Sequence, residues 1–164
     1  MLSERGLGPG LQRGWDDGSA VARLREELPD AVVAEDDFRE ERTVVVHADR
    51  LAEVLALLRD DPACAFDYLT DVTAVHWPAR ERPFEIVYTL YSFSRNRRLR
   101  VKAELGPEPR VPSAVSLWPA ADWFERECFD MFGVEFEGHP DLRRILMTPD
   151  YDAHPLRKDF PLKC

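Results

Sequence analysis

The segment Arg98-Leu99-Arg100-Val101-Lys102-Ala103-Glu104-Leu105 alternates charged and apolar side chains without a break. A period of two describes a strand with one face buried and the other in water. The turn Arg95-Asn96-Arg97 precedes it, and before that Phe84 to Phe93 is rich in aromatic and β-branched residues, as is Phe66 to Trp77. Three strands joined this closely pair antiparallel, because a parallel pair needs a crossover of a dozen residues or more.

Upstream, Leu51, Val54, Leu55 and Leu58 fall at i, i+3, i+4 and i+7, the stripe of an amphipathic helix, with Asp49 placed to cap it and Asp60-Asp61-Pro62 to end it. Ala31-Val32-Val33 and Thr43-Val44-Val45-Val46-His47 read as a hairpin around a charged turn, Glu35 to Glu41. A short helix through Ala20, Val21, Leu24 and Leu28 stops at Pro29. Helix, two strands, helix and three strands make an α+β fold, a two-layer sandwich of a mixed or antiparallel sheet with helices.

Downstream, Gly106 to Pro112 reads as a loop. A helix follows over Asp122 to Phe132, with Asp122 and Glu125 at capping-box spacing, Phe124, Cys128 and Met131 on one face, and Gly133 as a left-handed stop. From Glu137 the prolines Pro140, Pro149, Pro155 and Pro161 exclude regular helix or central strand, so residues 137–164 form an extended C-terminal arm. Residues 1–18 read as a flexible, glycine-rich leader and residues 19–136 as the folded domain.

The 164 residues carry 22 Lys and Arg against 31 Asp and Glu, a net charge of −9. That balance argues against a nucleic-acid partner, which selects a basic patch. Apolar runs such as Leu55-Ala56-Leu57-Leu58 are far short of the ~20 residues needed to span a bilayer. Three cysteines, Cys64, Cys128 and Cys164, lie far apart with no C-x-x-C pair, which fits a reducing compartment. The four histidines have no metal-ligand spacing, and Gly-rich nucleotide loops and nucleophile elbows are missing. Trp15, Trp77, Trp118 and Trp123 read as core or interface rings.

Glu125, Arg126, Glu127 and Asp130 crowd four charges into less than two helical turns. Three readings compete: an exposed face with Arg126 paired to Asp130 at i, i+4, an acid–base pair using Glu125 or Glu127 with His139, or an interface. The arm favours the interface. It sets the apolar anchors Leu142, Ile145, Leu146, Met147, Leu156, Phe160 and Leu162 among Arg143, Arg144, Arg157 and Lys158, and its charges balance at five basic and five acidic. It reads as docking on and wrapping a partner, the alternatives being that it folds back over its own sheet or is disordered.

Glu125-Arg126-Glu127-Cys128-Phe129-Asp130-Met131-Phe132-Gly133, then His139 and Arg143-Arg144-Ile145-Leu146, resembles the signature of the C subunit of NADH-quinone oxidoreductase, the 30 kDa subunit family of respiratory complex I. His154-Pro155-Leu156-Arg157-Lys158-Asp159-Phe160-Pro161-Leu162 is similar to that family's tail, with Ala153 where the tail commonly has Gly; many relatives continue beyond the position of Cys164. The resemblance covers roughly residues 20 to 162. It implies a protein holding no cofactor and no catalytic or metal site of its own, with FMN, iron–sulfur clusters and quinone elsewhere in the complex. It also implies packing against the large D subunit, which forms the quinone site, and against the cluster-bearing B subunit, peripheral to the cytoplasmic side of a bacterial inner membrane. By the same resemblance Glu125, Arg126, Glu127, Asp130, Gly133, His139, Arg143, Arg144, Arg157, Lys158 and Phe160 belong to a partner-binding surface. Membrane-bound hydrogenases and formate hydrogenlyases contain related subunits, so the electron donor stays open; a stand-alone acid–base enzyme is the reading from a different class.

Overall fold

The computed structural model describes residues 14–39 and 41–161. Residues 1–13 of the leader, Glu40 of the charged turn, the Trp15 side chain, and Leu162, Lys163 and Cys164 of the arm lie outside the described residues. The elements run β1 (Gly14–Trp15), α1 (Ser19–Glu27), β2 (Val32–Phe38), β3 (Glu41–Val46), a 3₁₀ turn (Ala48–Arg50), α2 (Leu51–Asp60), β4 (Tyr68–His76), β5 (Phe84–Ser92), β6 (Arg97–Leu105), β7 (Arg110–Pro112), α3 (Ala121–Phe132) and β8 (Glu135–Glu137).

The alternating segment becomes β6, at the centre of a mixed six-stranded sheet ordered β2-β3-β6-β5-β4. Its full length pairs antiparallel with β5 from Phe84↔Leu105 to Ser92↔Arg97, through a turn in which Asn96 takes a positive φ of 51°. On its other edge it pairs parallel with β3 at 100–103 and with β1 at 97–98. Leu99, Val101, Ala103 and Leu105 are buried with Ile86, Tyr88 and Leu90 of β5, beneath Leu24 of α1, Leu55 and Leu58 of α2 and Cys128 of α3. The opposite face carries ion pairs such as Lys102–Glu85 at 3.0 Å and Arg100–Glu41 at 2.9 Å. This is the two-layer α+β sandwich expected from the alternation.

Several local expectations change. Gly14–Trp15, assigned to the leader, add a short strand, and Asp16 behind them accepts the Gly18 and Ala20 amides at the start of α1. The charged turn is mostly strand: Glu35 to Phe38 extend β2, and the reversal lies beyond Phe38, where Arg39 has φ 55°. An edge strand tolerates acidic residues on both faces because water solvates them and because they discourage further pairing. Asp49 makes no cap bond to α2 and sits instead inside the 3₁₀ turn. The 106–112 loop contains β7, which pairs parallel with β8. The capping box does not form either; Ala120 is the N-cap of α3, with no side-chain bond.

Gly133 ends α3 as its spacing predicts, at φ 74°, with its N–H on the Phe129 carbonyl at 2.9 Å. Beyond β8 the arm forms only turns through residue 161. It lies along α3 of its own chain, with Leu142 and Met147 packed on the core. Ala153 does not enter the positive-φ region, so alanine in the usual glycine place carries no strain there. Trp118 is core, while Trp77 and Trp123 are surface rings.

Candidate functional site

Helix α3 packs on the edge strand β4, where the Cys128 thiol donates to the Val72 carbonyl at 3.5 Å. That packing turns Glu125, Arg126 and Asp130 inward, although a charged run of this kind reads as solvated. Their charge is tolerable only because each finds fixed polar partners.

Glu125, fully buried, accepts the Ala114 amide and the Ser113 hydroxyl, each at 2.6 Å. His139, whose ring is also enclosed, stands 4.0 Å from its Oε2. The Asp141 amide donates to His139 Nδ1 at 3.0 Å, so in the neutral ring Nε2 carries the proton, 3.3 Å from the Asp122 carbonyl oxygen. Burial pushes the Glu125 carboxyl above its ordinary value, and the two donors and His139 offset this only in part. Beside it the Tyr88 hydroxyl is buried, without a hydrogen-bond partner among the described residues, and is pushed well up by burial, then by Glu125 and Cys128. Glu125, Tyr88 and the His139 ring are closed off from solvent. Glu127 is exposed.

Asp130 anchors the arm. One oxygen accepts the backbone amides of Ile145 at 3.0 Å, Leu146 at 2.6 Å and Met147 at 2.9 Å. The other accepts Arg144 at 2.7 Å, which replaces the Arg126–Asp130 pair expected from i, i+4 spacing. Burial alone would raise the Asp130 carboxyl, but the Met147, Leu146 and Ile145 amides and Arg144 outweigh it and hold it below the usual carboxylate range. Arg126 instead donates to the Arg143 carbonyl at 3.3 Å and lies over the Trp123 ring at 4.9 Å.

The end of α3 is clasped by the tail. The His154 ring donates from Nδ1 to the Asp130 carbonyl at 3.1 Å, the Leu156 amide to Met131 at 3.1 Å, and Arg157 Nε to Phe132 at 2.6 Å. These are the carbonyls a helix C-terminus leaves orphaned. Gly133 permits the clasp, since a Cβ there would collide with the Arg157 guanidinium and lie 2.6 Å from His154 Nε2. The Lys158 amide donates to His76 Nδ1 at 3.1 Å, while the Lys158 side chain is exposed and Phe160 is half-buried.

The structure thus joins Glu125, Arg126, Asp130, Gly133, His139, Arg144 and Arg157 into one network holding the arm. It leaves Glu127, Arg143 and Lys158 at the surface. Glu125 and Asp130, expected on a partner surface, are enclosed and act within the chain. Sequence reading missed Ser113, His76 and His154, whose roles depend on contacts between distant segments with no periodic trace. On the outside of the unit, Trp123 is 62% exposed, Leu146 63% and Leu156 50%. Among the described residues, no group of three or more His, Cys, Asp or Glu could hold a metal, and no helix is long and apolar enough to cross a membrane.

The family described as respiratory-chain NADH dehydrogenase, 30 Kd subunit, matches residues 44–164. The C subunit of NADH-quinone oxidoreductase from Azorhizobium caulinodans is 48% identical over 142 residues, 87% of this chain and 67% of that protein. Its counterpart from a Methylobacterium is 47% identical over 85% of this chain and 65% of that protein, and the one from a Roseiflexus 45% identical over 90% and 85%. The chain therefore spans about two thirds of the length of the first two. Among solved structures, the trypsin-resistant fragment of Nqo5 aligns with a TM-score of 0.65 at 29% identity, covering 75% of this chain and 99% of the fragment. A chain of the membrane-bound sulfane sulfur reductase, an archaeal respiratory membrane complex, aligns with a TM-score of 0.71 at 30% identity, covering 87% and 84%.

Proposed function

From a chain that belongs to the respiratory-chain NADH dehydrogenase 30 kDa subunit family, we propose an assembly role in the peripheral arm of a proton-translocating NADH:quinone oxidoreductase. The chain supports electron transfer from NADH to quinone by packing against the large D subunit at the quinone site, and it also contacts the B subunit. The enzyme is the complex; FMN, iron–sulfur clusters and quinone belong to its other members. The chain sits on the cytoplasmic side of the membrane.

The observation that carries this reading is the outer side of the α3–arm unit. The arm is fixed to α3 by Asp130, yet Trp123 of α3 and Leu146 and Leu156 of the arm each stand exposed. Large apolar groups displayed on a rigid support favour a partner protein. Of the expected surface residues, Glu127, Arg143 and Lys158 offer exposed charges to a partner, Arg157 and Phe160 are half-buried, and the buried members set the arm's position. The likeness to the archaeal sulfane sulfur reductase chain favours a second reading, in which a homologous complex with another electron donor, such as a hydrogenase or formate hydrogenlyase, is the host.

Affinity capture of the tagged full chain from detergent-solubilised native membranes tests both. Flavin, cluster and quinone-site subunits co-purify, with NADH-quinone activity marking the first host and hydrogen- or sulfur-linked activity the second. The paired substitution Trp123→Ser with Leu146→Ser reduces that recovery without unfolding the chain. Recovery of the tagged chain alone would sink the assembly reading.

A further inference from the structure

Among the described residues, Arg157 clasps α3 through one of its three nitrogens. Its Nε is held on the Phe132 carbonyl at 2.6 Å, and its guanidinium lies over the Phe84 ring at 5.0 Å, so the group is fixed in orientation. Among the described residues neither terminal nitrogen has a hydrogen bond or a carboxylate in ion-pair contact; Asp159 acts on it only through longer-range attraction. Burial lowers the pKa of this cation, as it does for a charge removed from water without a close counter-ion.

Arg157 faces a polar cleft of about 360 Å³, walled by Pro107, Glu108, Pro109, Arg110, His154 and the Gly133 backbone, among others. His154 uses Nδ1 for the Asp130 carbonyl, which leaves Nε2 beside Gly133 as a neutral acceptor. Arg110 is already committed to Glu135 at 3.2 Å. Among the described residues, the cleft groups without a partner are therefore one preorganised guanidinium edge and Glu108.

We propose that this cleft receives a single carboxylate side chain, Asp or Glu, from a neighbouring protein of the complex, gripped through the two terminal nitrogens of Arg157. A guanidinium presents parallel N–H groups that match a carboxylate bidentately, and a fixed one loses little freedom on binding. Glu108 and Glu135 also line the cleft, so a carboxylate, which brings one negative charge to the Arg157 edge, meets less repulsion there than a free phosphate dianion, which brings two. The proline walls give the incoming segment a stiff, low-entropy border. This inference rests on the assembly reading and specifies one contact within it.

The test is zero-length carbodiimide coupling in the captured complex, with partner residues identified by mass spectrometry. Arg157→Lys supplies the amine at the proposed contact, and Glu108→Lys supplies one elsewhere in the cleft lining without disturbing the clasp. Both are expected to couple to an acidic residue on the same segment of one other protein. Arg157→Gln lowers affinity for the complex by about ten-fold or more, as loss of a charge-assisted pair does, and Arg157→Lys restores part of it. An intact complex in which both amines couple only within this chain overturns the proposal and leaves the assembly reading standing. The same result with coupling suppressed by inorganic phosphate would assign the cleft to a free anion and also overturns it. Recovery of the chain without other subunits removes both readings together.

Discussion

Two carboxylates on α3, little more than a turn apart and both fully buried, end in opposite electrostatic states. Glu125, facing the 113–114 segment, accepts two donors and is held above its ordinary pKa. Asp130, facing the arm, accepts three amides and a guanidinium and is held below it. Both are shut off from solvent, but Glu125 lies deeper in the protein and has fewer donors, so desolvation prevails there, while the donors prevail at Asp130. The end with surplus donors ties down an arm that forms no helix or strand over residues 138–161, and the end without them makes a quieter core contact.

The largest effect comes from removing the stronger end. Asp130→Ala strands the largely buried Arg144 and three amides, and a broken buried pair of this kind costs about 3–5 kcal/mol. Urea denaturation should register the loss, with amide exchange at Ile145, Leu146 and Met147 rising more than in the sheet. Equal exchange in both regions would erase the distinction drawn between the two ends.

Gly133→Ala attacks the same end through the backbone. A side chain at φ 74° and the collision with Arg157 and His154 together cost about 2 kcal/mol, read as a lowered melting temperature with faster exchange at Leu156. Glu125→Gln is the contrasting case. The amide oxygen can still accept from Ala114, and a poorly solvated charge is removed, so stability changes by no more than about 1 kcal/mol in either direction. A loss as large as that of Asp130→Ala would show that Glu125 is fully compensated after all.

The smallest signal is the pH profile, and its signs differ at the two ends. Asp130 has a depressed folded value, so its contribution is present above about pH 4 and is lost as pH falls through that lower value. His154, also depressed, by burial first, contributes fully above about pH 6.5 and loses that contribution as pH falls through its folded value. Glu125 is raised, so its contribution is full below about pH 4.3 and is lost as pH rises through its folded value. Protection of the arm amides should therefore weaken in steps on acidification. In Glu125→Gln the arm steps stay while stability near neutral pH becomes flatter; loss of the acid steps in that variant would break the assignment.

The legibility of these regions differs for a physical reason. β6 was readable because alternation in eight consecutive residues carries the whole message, and α2 because four leucine and valine positions repeat at helical spacing. β7 and β8 were not, since each is three residues long and exists only because the other lies beside it. Asp49 and Asp122 had the spacing of caps but took no capping bond, because backbone arrangement around each helix start decided the matter. At the site, the residue string around α3 pointed to the family and to the importance of Glu125, Arg126 and Asp130, but not to their direction.

By itself the sequence determined the period of its strands and helices, the glycine stop at Gly133, the irregular arm after Glu137 and the family resemblance, because each is encoded within a short window of neighbouring residues. Only the tertiary structure decided that Asp130 pairs with Arg144 rather than Arg126, that Glu125 and Asp130 face inward with opposite shifts, and that Arg157 keeps two nitrogens without a partner among the described residues. Those outcomes depend on which distant segments meet and how many donors each carboxylate then finds, and burial turns that count into the balance of charge.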